Sequence, residues 1–163
     1  MTGESVYLSL GSNLGRRERN LSAAVKALVL ILSEIRCSSI YETRPMYVAE
    51  QPKFLNMVVT GICALQPREL LRRILAIELQ MGRDRDKYTP KGPRIIDIDI
   101  LLFGRRIVKQ EELSIPHPRL KERQFVLIPL LELEPNLRDP ESERPLAESL
   151  RSLEDQGVYI FRA

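Results

Sequence analysis

At 163 residues, 44% hydrophobic and 29% charged, the chain has the length and composition of one globular domain with a sizeable core, which excludes a disordered or fibrous polymer. No run of 18 apolar residues is present, excluding an ordinary membrane-spanning helix, and a net charge of +3 is too mild to indicate a nucleic-acid partner. Cys37 and Cys63 are too few for a disulfide framework or a zinc site; both are expected in the core of a cytoplasmic protein, and the first residues lack the pattern of a secretory leader.

The predicted elements follow in chain order. Residues 6–10 alternate Val6, Leu8 and Leu10 against Tyr7 and Ser9, a strand closed by the turn residues Gly11, Ser12 and Asn13. Over 19–33 the apolar residues Leu21, Ala24, Val25, Leu28 and Leu32 recur every three or four positions and predict an amphipathic helix. A second strand is expected over 35–42, a long loop or lid over 43–52, and a third strand with Leu55, Met57, Val59 and Gly61 on one face. Pro67 is well placed to begin a second helix, in which Leu70, Leu71, Ile74, Leu75, Glu78 and Leu79 continue the pattern toward a stop at Gly82. A loop and a strand ending at Leu102 follow, and Gly104, Arg105 and Arg106 are expected to turn that strand into a short partner at Ile107 and Val108. Residues 114–118 read as irregular, 123–133 as a helix shortened by Pro129, and 158–161 as a last strand. The order β-α-β-β-α-β predicts an α+β fold: a ferredoxin-like core with a mainly antiparallel sheet, C-terminal additions, and a single domain over 1–163.

Chemistry concentrates in residues 91–102. Strand alternation places Ile95, Asp97, Asp99 and Leu101 on one face and Ile96, Ile98, Ile100 and Leu102 on the other. The two carboxylates then have Cα atoms roughly 6.5–7 Å apart, and their repulsion on a half-buried surface calls for a cation. Either neighbouring arginines answer the pair or a divalent metal does. Two hard oxygen ligands suit magnesium, which completes its octahedron with water and phosphate oxygens. Gly92 and Pro93 mark a turn before the strand, and Arg94 stands at its mouth, where a guanidinium meets phosphate in a bidentate fork. The preceding loop carries Arg83, Arg85, Lys87 and Lys91 against Asp84 and Asp86. Cations on one side and metal ligands on the other suit a polyphosphate with magnesium.

Four segments resemble one family in the same order along the chain: Leu10-Gly11-Ser12-Asn13-Leu14, Gln51-Pro52-Lys53-Phe54-Leu55-Asn56, Gly92-Pro93-Arg94 with Asp97 and Asp99, and Ile115-Pro116-His117-Pro118. They are similar to the 6-hydroxymethyl-7,8-dihydropterin pyrophosphokinases. The resemblance implies magnesium-dependent transfer of pyrophosphate from ATP to a hydroxymethyl dihydropterin, giving AMP, in folate biosynthesis. It implies that Asp97 and Asp99 hold two magnesium ions and that Arg83, Arg85 and Arg94 assist catalysis. Arg94, Ile100, Ser114, His117 and Arg123 would contact the nucleotide. The pterin would be held by Thr43, Pro45, Met46, Phe54, Asn56 and Phe125. Strand parity agrees on one point, since Phe54 and Asn56 share a face, so one can stack on a flat ring while the other pairs with its edge.

The expected partners are these two small molecules, with no nucleic acid and no membrane, and the expected state is a monomer. An RNA-recognition module would need aromatic residues in a characteristic run on the central strands, and none is present. A purely regulatory binding domain would have no need to concentrate magnesium ligands. A P-loop is excluded because Gly11 to Gly15 lacks the required lysine.

Overall fold

The structure, a computed structural model, describes residues 2–43, 51–83 and 93–162. The strands are β1 (Glu4–Ser12), β2 (Ser33–Cys37), β3 (Tyr41–Thr43), β4 (Phe54–Cys63), β5 (Asp97–Phe103), β6 (Val108–Lys109), β7 (Ser114–Ile115) and β8 (Val158–Ile160). The helices are α1 (Arg17–Leu28), α2 (Pro67–Gln80), α3 (Gln124–Leu133) and α4 (Leu146–Ser152). The principal sheet runs β5-β1-β4-β3-β8, and β2 joins the outer side of β4 beside β3. All pairings among the described residues are antiparallel. This is the expected ferredoxin-like arrangement with C-terminal additions.

The sheet has two differently covered faces because its strands alternate. Val6, Leu8 and Leu10 of β1 and Leu55, Met57 and Val59 of β4 meet Leu21, Ala24 and Leu28 of α1 and Leu70, Ile74 and Ile77 of α2. Burial of each such Leu or Ile contributes about 1.5–3 kcal/mol, so this helix-covered layer fixes the register of the whole sheet. On the opposite face Tyr7, Val58, Leu101 and Leu102 pack with Val126, Leu127 and Leu130 of α3 and Leu146 of α4. Pro129 lies buried inside α3 without ending it, at the loss of one backbone hydrogen bond.

Several expectations are corrected. The strand predicted over 35–42 is two strands, because Ser38 interrupts the ladder: its N–H donates to the Val58 carbonyl, while its hydroxyl oxygen accepts the Val58 N–H, both at 2.9 Å. Cys37 is exposed rather than in the core, since only Ile35 of β2 turns inward. Val108 and Lys109 pair with Ile115 and Ser114, not with β5, so part of the segment read as irregular is a strand. The first helix stops at Leu28, and Leu32 reaches the core from a turn. The helix α4 lies in a stretch for which the sequence predicted no element.

The alternation predicted for the diacidic strand also fails at both ends. The register of β5 against β1 shifts between Ile100 and Leu102, leaving Leu101 opposite no residue. This bulge turns Leu102 onto the same side as Leu101, away from Ile96, Ile98 and Ile100. Ile95 precedes the strand and packs with the helix-covered core, not beside the aspartates.

Ser38→Ala would leave the buried Val58 N–H without its acceptor. The expected cost is about 1–2 kcal/mol, read as a lower urea midpoint at unchanged slope.

Candidate active site

Of the residues predicted to carry function, Thr43, Phe54, Asn56, Asp97 and Asp99 share the face of the sheet opposite α1 and α2. Across the strands, Asp97 stands opposite Gly11, Gly11 opposite Asn56, and Asn56 opposite Tyr41. One row along, Asp99 faces Ser9, which faces Val58. Phe54 pairs with Thr43. Parity puts all of these side chains on one side, and α3 covers the Val58 row with apolar residues. Both aspartates are half-buried.

Glu78, on the inward stripe of α2, is 1% exposed and anchors the diacid from below. Its Oε2 accepts the Ile98 N–H at 2.7 Å and Arg83 Nη1 at 3.0 Å. The same Arg83 nitrogen donates to the Ile96 carbonyl at 3.2 Å and to Asp97 Oδ1. A buried carboxylate is costly unless paired and hydrogen-bonded; here one guanidinium answers both Glu78 and Asp97. Arg94 Nη1 lies 3.9 Å from Asp97 Oδ2. Arginines therefore meet part of the demand for positive charge that the sequence pattern raised.

Arg94 is oriented by Asn13, which is 1% exposed. Asn13 Oδ1 accepts the Arg94 N–H at 2.8 Å, and the Asn13 N–H donates to the Arg94 carbonyl at 3.1 Å. Asn13 Nδ2 donates to Gln51 Oε1 at 2.7 Å and to the Pro52 carbonyl at 3.0 Å. The Arg94 guanidinium sits 5.1 Å from the centroid of the Phe54 ring, and its buried Nε has no hydrogen-bond acceptor among the described residues. An anion such as phosphate would supply one.

His117 is placed by the bulge. Its N–H donates to the carbonyl of Leu101 at 3.0 Å. Its Nδ1 accepts the Arg119 N–H at 3.1 Å, so the neutral ring carries its proton on Nε2 and can donate there. Burial, followed by the charge of Arg123, pushes the imidazole pKa down to about 4, against the opposing pull of Asp97. Arg123 lies at the start of α3, 5.5 Å from the Phe125 ring centroid. Burial disfavours the charged Arg94, and the nearby charges of Asp97, Arg83, Asp99 and Arg123 all act on it.

At the other end of the row, Asn56 Nδ2 donates to Thr43 Oγ1 at 2.7 Å, with both residues buried. Gly11 leaves room there: a Cβ on it would lie 2.9 Å from Asn56 Oδ1 and 3.6 Å from Phe54 Cδ1. Ile100 packs in the helix-covered core, so only its backbone remains on the aspartate side of the strand. Ser114 is exposed on β7, whose neighbour Ile115 is buried in that core. Arg85, Pro45 and Met46, with the middle of each loop expected to contain them, lie outside the described residues.

Sequence reasoning took Glu78 for one more position of a helical pattern and Asn13 for turn chemistry. The signal for Glu78 was available, because a carboxylate four residues after Ile74 falls on an apolar stripe. Gly11 was likewise legible only as a turn residue, although β1 continues through it to Ser12.

A family model described as 7,8-dihydro-6-hydroxymethylpterin-pyrophosphokinase matches residues 7–135. The chain is 41% identical over 158 residues to the 2-amino-4-hydroxy-6-hydroxymethyldihydropteridine pyrophosphokinase of Bacillus subtilis, covering 96% of this chain and 89% of that one. It is 40% identical over 156 residues to the folic acid synthesis protein fol1 of Pneumocystis carinii, covering 95% of this chain but 21% of that protein. The chain thus spans about a fifth of the fungal relative's length. Among solved structures it is similar in fold to wild-type Plasmodium falciparum HPPK-DHPS with pteroate. The TM-score is 0.72 at 18% identity, over 91% of this chain and 42% of that one.

His117 is the chain's single histidine, so one imidazole titration reads it directly, with an expected midpoint near 4. Because the folded pKa lies below the unfolded value, the stabilisation is complete above pH 6.5 and is lost as the pH falls through about 4. The loss should be about 1–3 kcal/mol over that window, and His117→Gln should remove it from the pH profile of urea unfolding.

Proposed function

The chain belongs to the 7,8-dihydro-6-hydroxymethylpterin-pyrophosphokinase family, and on that premise we propose that it transfers pyrophosphate from ATP to the hydroxymethyl group of 6-hydroxymethyl-7,8-dihydropterin, releasing AMP, as a step of folate biosynthesis. The observation that carries this reading is the single row across the sheet. It joins a diacid ringed by Arg83, Arg94, Arg123 and His117 to a slot bounded by Asn56, Thr43, Phe54 and Gly11. A polyphosphate fits the first half and a flat heterocycle the second.

The pterin slot has a defined hydrogen-bonding polarity. Thr43 uses up one Asn56 N–H, so Asn56 Oδ1 is left to accept from the amino and ring N–H groups of the pterin edge. The Thr43 hydroxyl, having accepted, keeps its own proton to donate. Phe54 and Phe125 supply flat apolar surface for the ring, and the absent side chain at Gly11 lets the ligand approach the strand. Pro45 and Met46 complete the pocket in this reading.

At the nucleotide end Arg94, Arg123 and the Nε2–H of His117 bind phosphate oxygens, and neutral His117 does so as a donor without adding charge. Ile100 contributes its backbone, Ser114 contacts the nucleotide from β7, and Arg83 and Arg85 assist. Asp97 and Asp99 fit magnesium, because that ion takes one or two protein carboxylates and fills its remaining positions with water and phosphate. Two such ions, bound with ATP, would neutralise phosphate charge and lower the pKa of the attacking hydroxyl. The hydroxymethyl oxygen forms a bond to the β-phosphorus as the bond from that phosphorus to the α-phosphate oxygen breaks. AMP leaves with that electron pair, and the hydroxyl proton passes to solvent. The side chains contribute position and charge compensation, with no covalent enzyme intermediate.

In this reading the chain works as a single-domain monomer in the cytoplasm on small molecules alone, with no nucleic-acid or membrane partner. No helix among the described residues is long and apolar enough to cross a membrane.

Asp97→Ala and Asp99→Ala are each expected to lower kcat for AMP formation by about 10³-fold or more. Glu78 still pairs Arg83 in either variant, so the thermal midpoint should stay within about 5 °C. Near wild-type turnover in either variant would sink the assignment.

A further inference from the structure

A strand of only three residues is poorly held by a single ladder, and β3, which carries Thr43, has two. Besides its pairing with β4, Tyr41 pairs with Ile160, Glu42 with Tyr159 and Thr43 with Val158. The Phe161 N–H extends this second ladder to the Ile40 carbonyl at 2.9 Å.

By alternation Glu42 points to the face opposite Thr43, where it centres a polar cluster. Its Oε2 accepts Arg17 Nη1 at 2.8 Å, and its Oε1 accepts the Tyr159 hydroxyl at 3.1 Å. The same two partners reach Lys53. Arg17 Nη1 donates to the Lys53 carbonyl at 2.8 Å, and Lys53 Nζ donates to the Tyr159 oxygen at 2.8 Å. Lys53 Nζ also lies 5.5 Å from the Tyr159 ring centroid, and the Arg17 guanidinium 5.7 Å from that of Phe161. Burial alone would raise the Glu42 pKa, but the hydrogen bonds from Arg17 and Tyr159 and the charges of Arg17 and Lys53 outweigh it and keep the carboxylate ionised. Glu42 immediately precedes Thr43, and Lys53 immediately precedes Phe54. Thr43 and Phe54, cross-strand partners in the β3–β4 ladder, are therefore tied further through Arg17 of α1 and Tyr159 of β8.

We propose that Tyr159 is a positioning residue for the pterin end of the site: by bridging Glu42 and Lys53 from the far face of β3, its hydroxyl holds Thr43 and Phe54 at the spacing that the ligand needs. The inference rests on the assignment of those two residues to the pterin. It makes dihydropterin affinity depend on a strand that carries none of the predicted site residues.

Tyr159→Phe in the full chain deletes the hydroxyl and keeps the ring beside Lys53. Calorimetry is run first on the unmodified chain with 6-hydroxymethyl-7,8-dihydropterin, magnesium and a non-hydrolysable ATP analogue. In the variant the pterin Kd is expected to rise about 3- to 10-fold, the worth of one hydrogen bond. The Kd of the analogue alone should stay within about twofold, a change that corresponds to less than one such bond. Amide exchange should quicken at Thr43 and Phe54 and stay unchanged in β1. Glu42→Gln, which keeps the shape and removes the charge paired with Arg17, should weaken pterin binding in the same way. Unchanged pterin affinity in both variants would overturn the proposal. So would an equal loss of pterin and nucleotide affinity with a lowered thermal midpoint, since that describes general support of the fold. Failure of the unmodified chain to bind the pterin would instead remove the functional reading, and this proposal with it.

Discussion

Asp97 and Asp99 lie two residues apart on one face of β5, and like charges that close cost free energy unless cations are held near them. Arg83 answers the first from within the protein, held there by Glu78, buried beneath the strand, and by the Ile96 carbonyl. Glu78 in turn holds the backbone of Ile98, between the two aspartates. Two acids, Glu78 and Asp97, and one arginine thus tie β5 to α2, and Arg94 stands beside the same aspartate. A buried ion chain of this kind is weak evidence for stability; its structural consequence is register, since Glu78 can satisfy the Ile98 N–H in only one alignment of α2 on β5.

The two faces of the sheet divide the work. The side against α1 and α2 is packed with aliphatic residues and sets the positions of β1, β4 and β5. The opposite side is apolar only where α3 and α4 cover it, and beyond that cover the same strands present Asn56, Gly11 and Asp97 in a row. Paired strands therefore present the diacid and the Asn56 slot on one continuous surface. A bulge at Leu101 adds His117 to it, because that residue's carbonyl receives the His117 N–H. Asn13 links the two ends by binding Arg94 on one side and Gln51 and Pro52 on the other.

Much of this was legible in the residues. Alternation located β1, β4 and β5 and put both aspartates together, and helical spacing located α1 and α2. Parity put Phe54 and Asn56 on one face, once the resemblance had singled out both. The resemblance, and no pattern of spacing, picked out Thr43, His117 and Arg123. What escaped were tertiary effects that no local pattern encodes. The Leu101 bulge reverses parity without a glycine to announce it. Ser38 splits a strand by lending its hydroxyl to a neighbour's backbone. Val108 pairs with Ile115 and not with β5, a choice between two nearby partners that the turn residues alone do not decide. Glu78 was visible as a carboxylate on an apolar stripe, but its partner Arg83 was read as part of a basic loop and, through the resemblance, as an aid to catalysis, not as the ion-pair partner of a buried acid.

The central claim, that one face of the sheet brings a polyphosphate and a pterin together for transfer, is tested most directly by following ATP with phosphorus NMR in the presence of magnesium and 6-hydroxymethyl-7,8-dihydropterin. The account predicts AMP and a pterin diphosphate in equal amounts, with neither formed when the pterin is omitted. Formation of ADP, or of AMP at the same rate without the pterin, would contradict it.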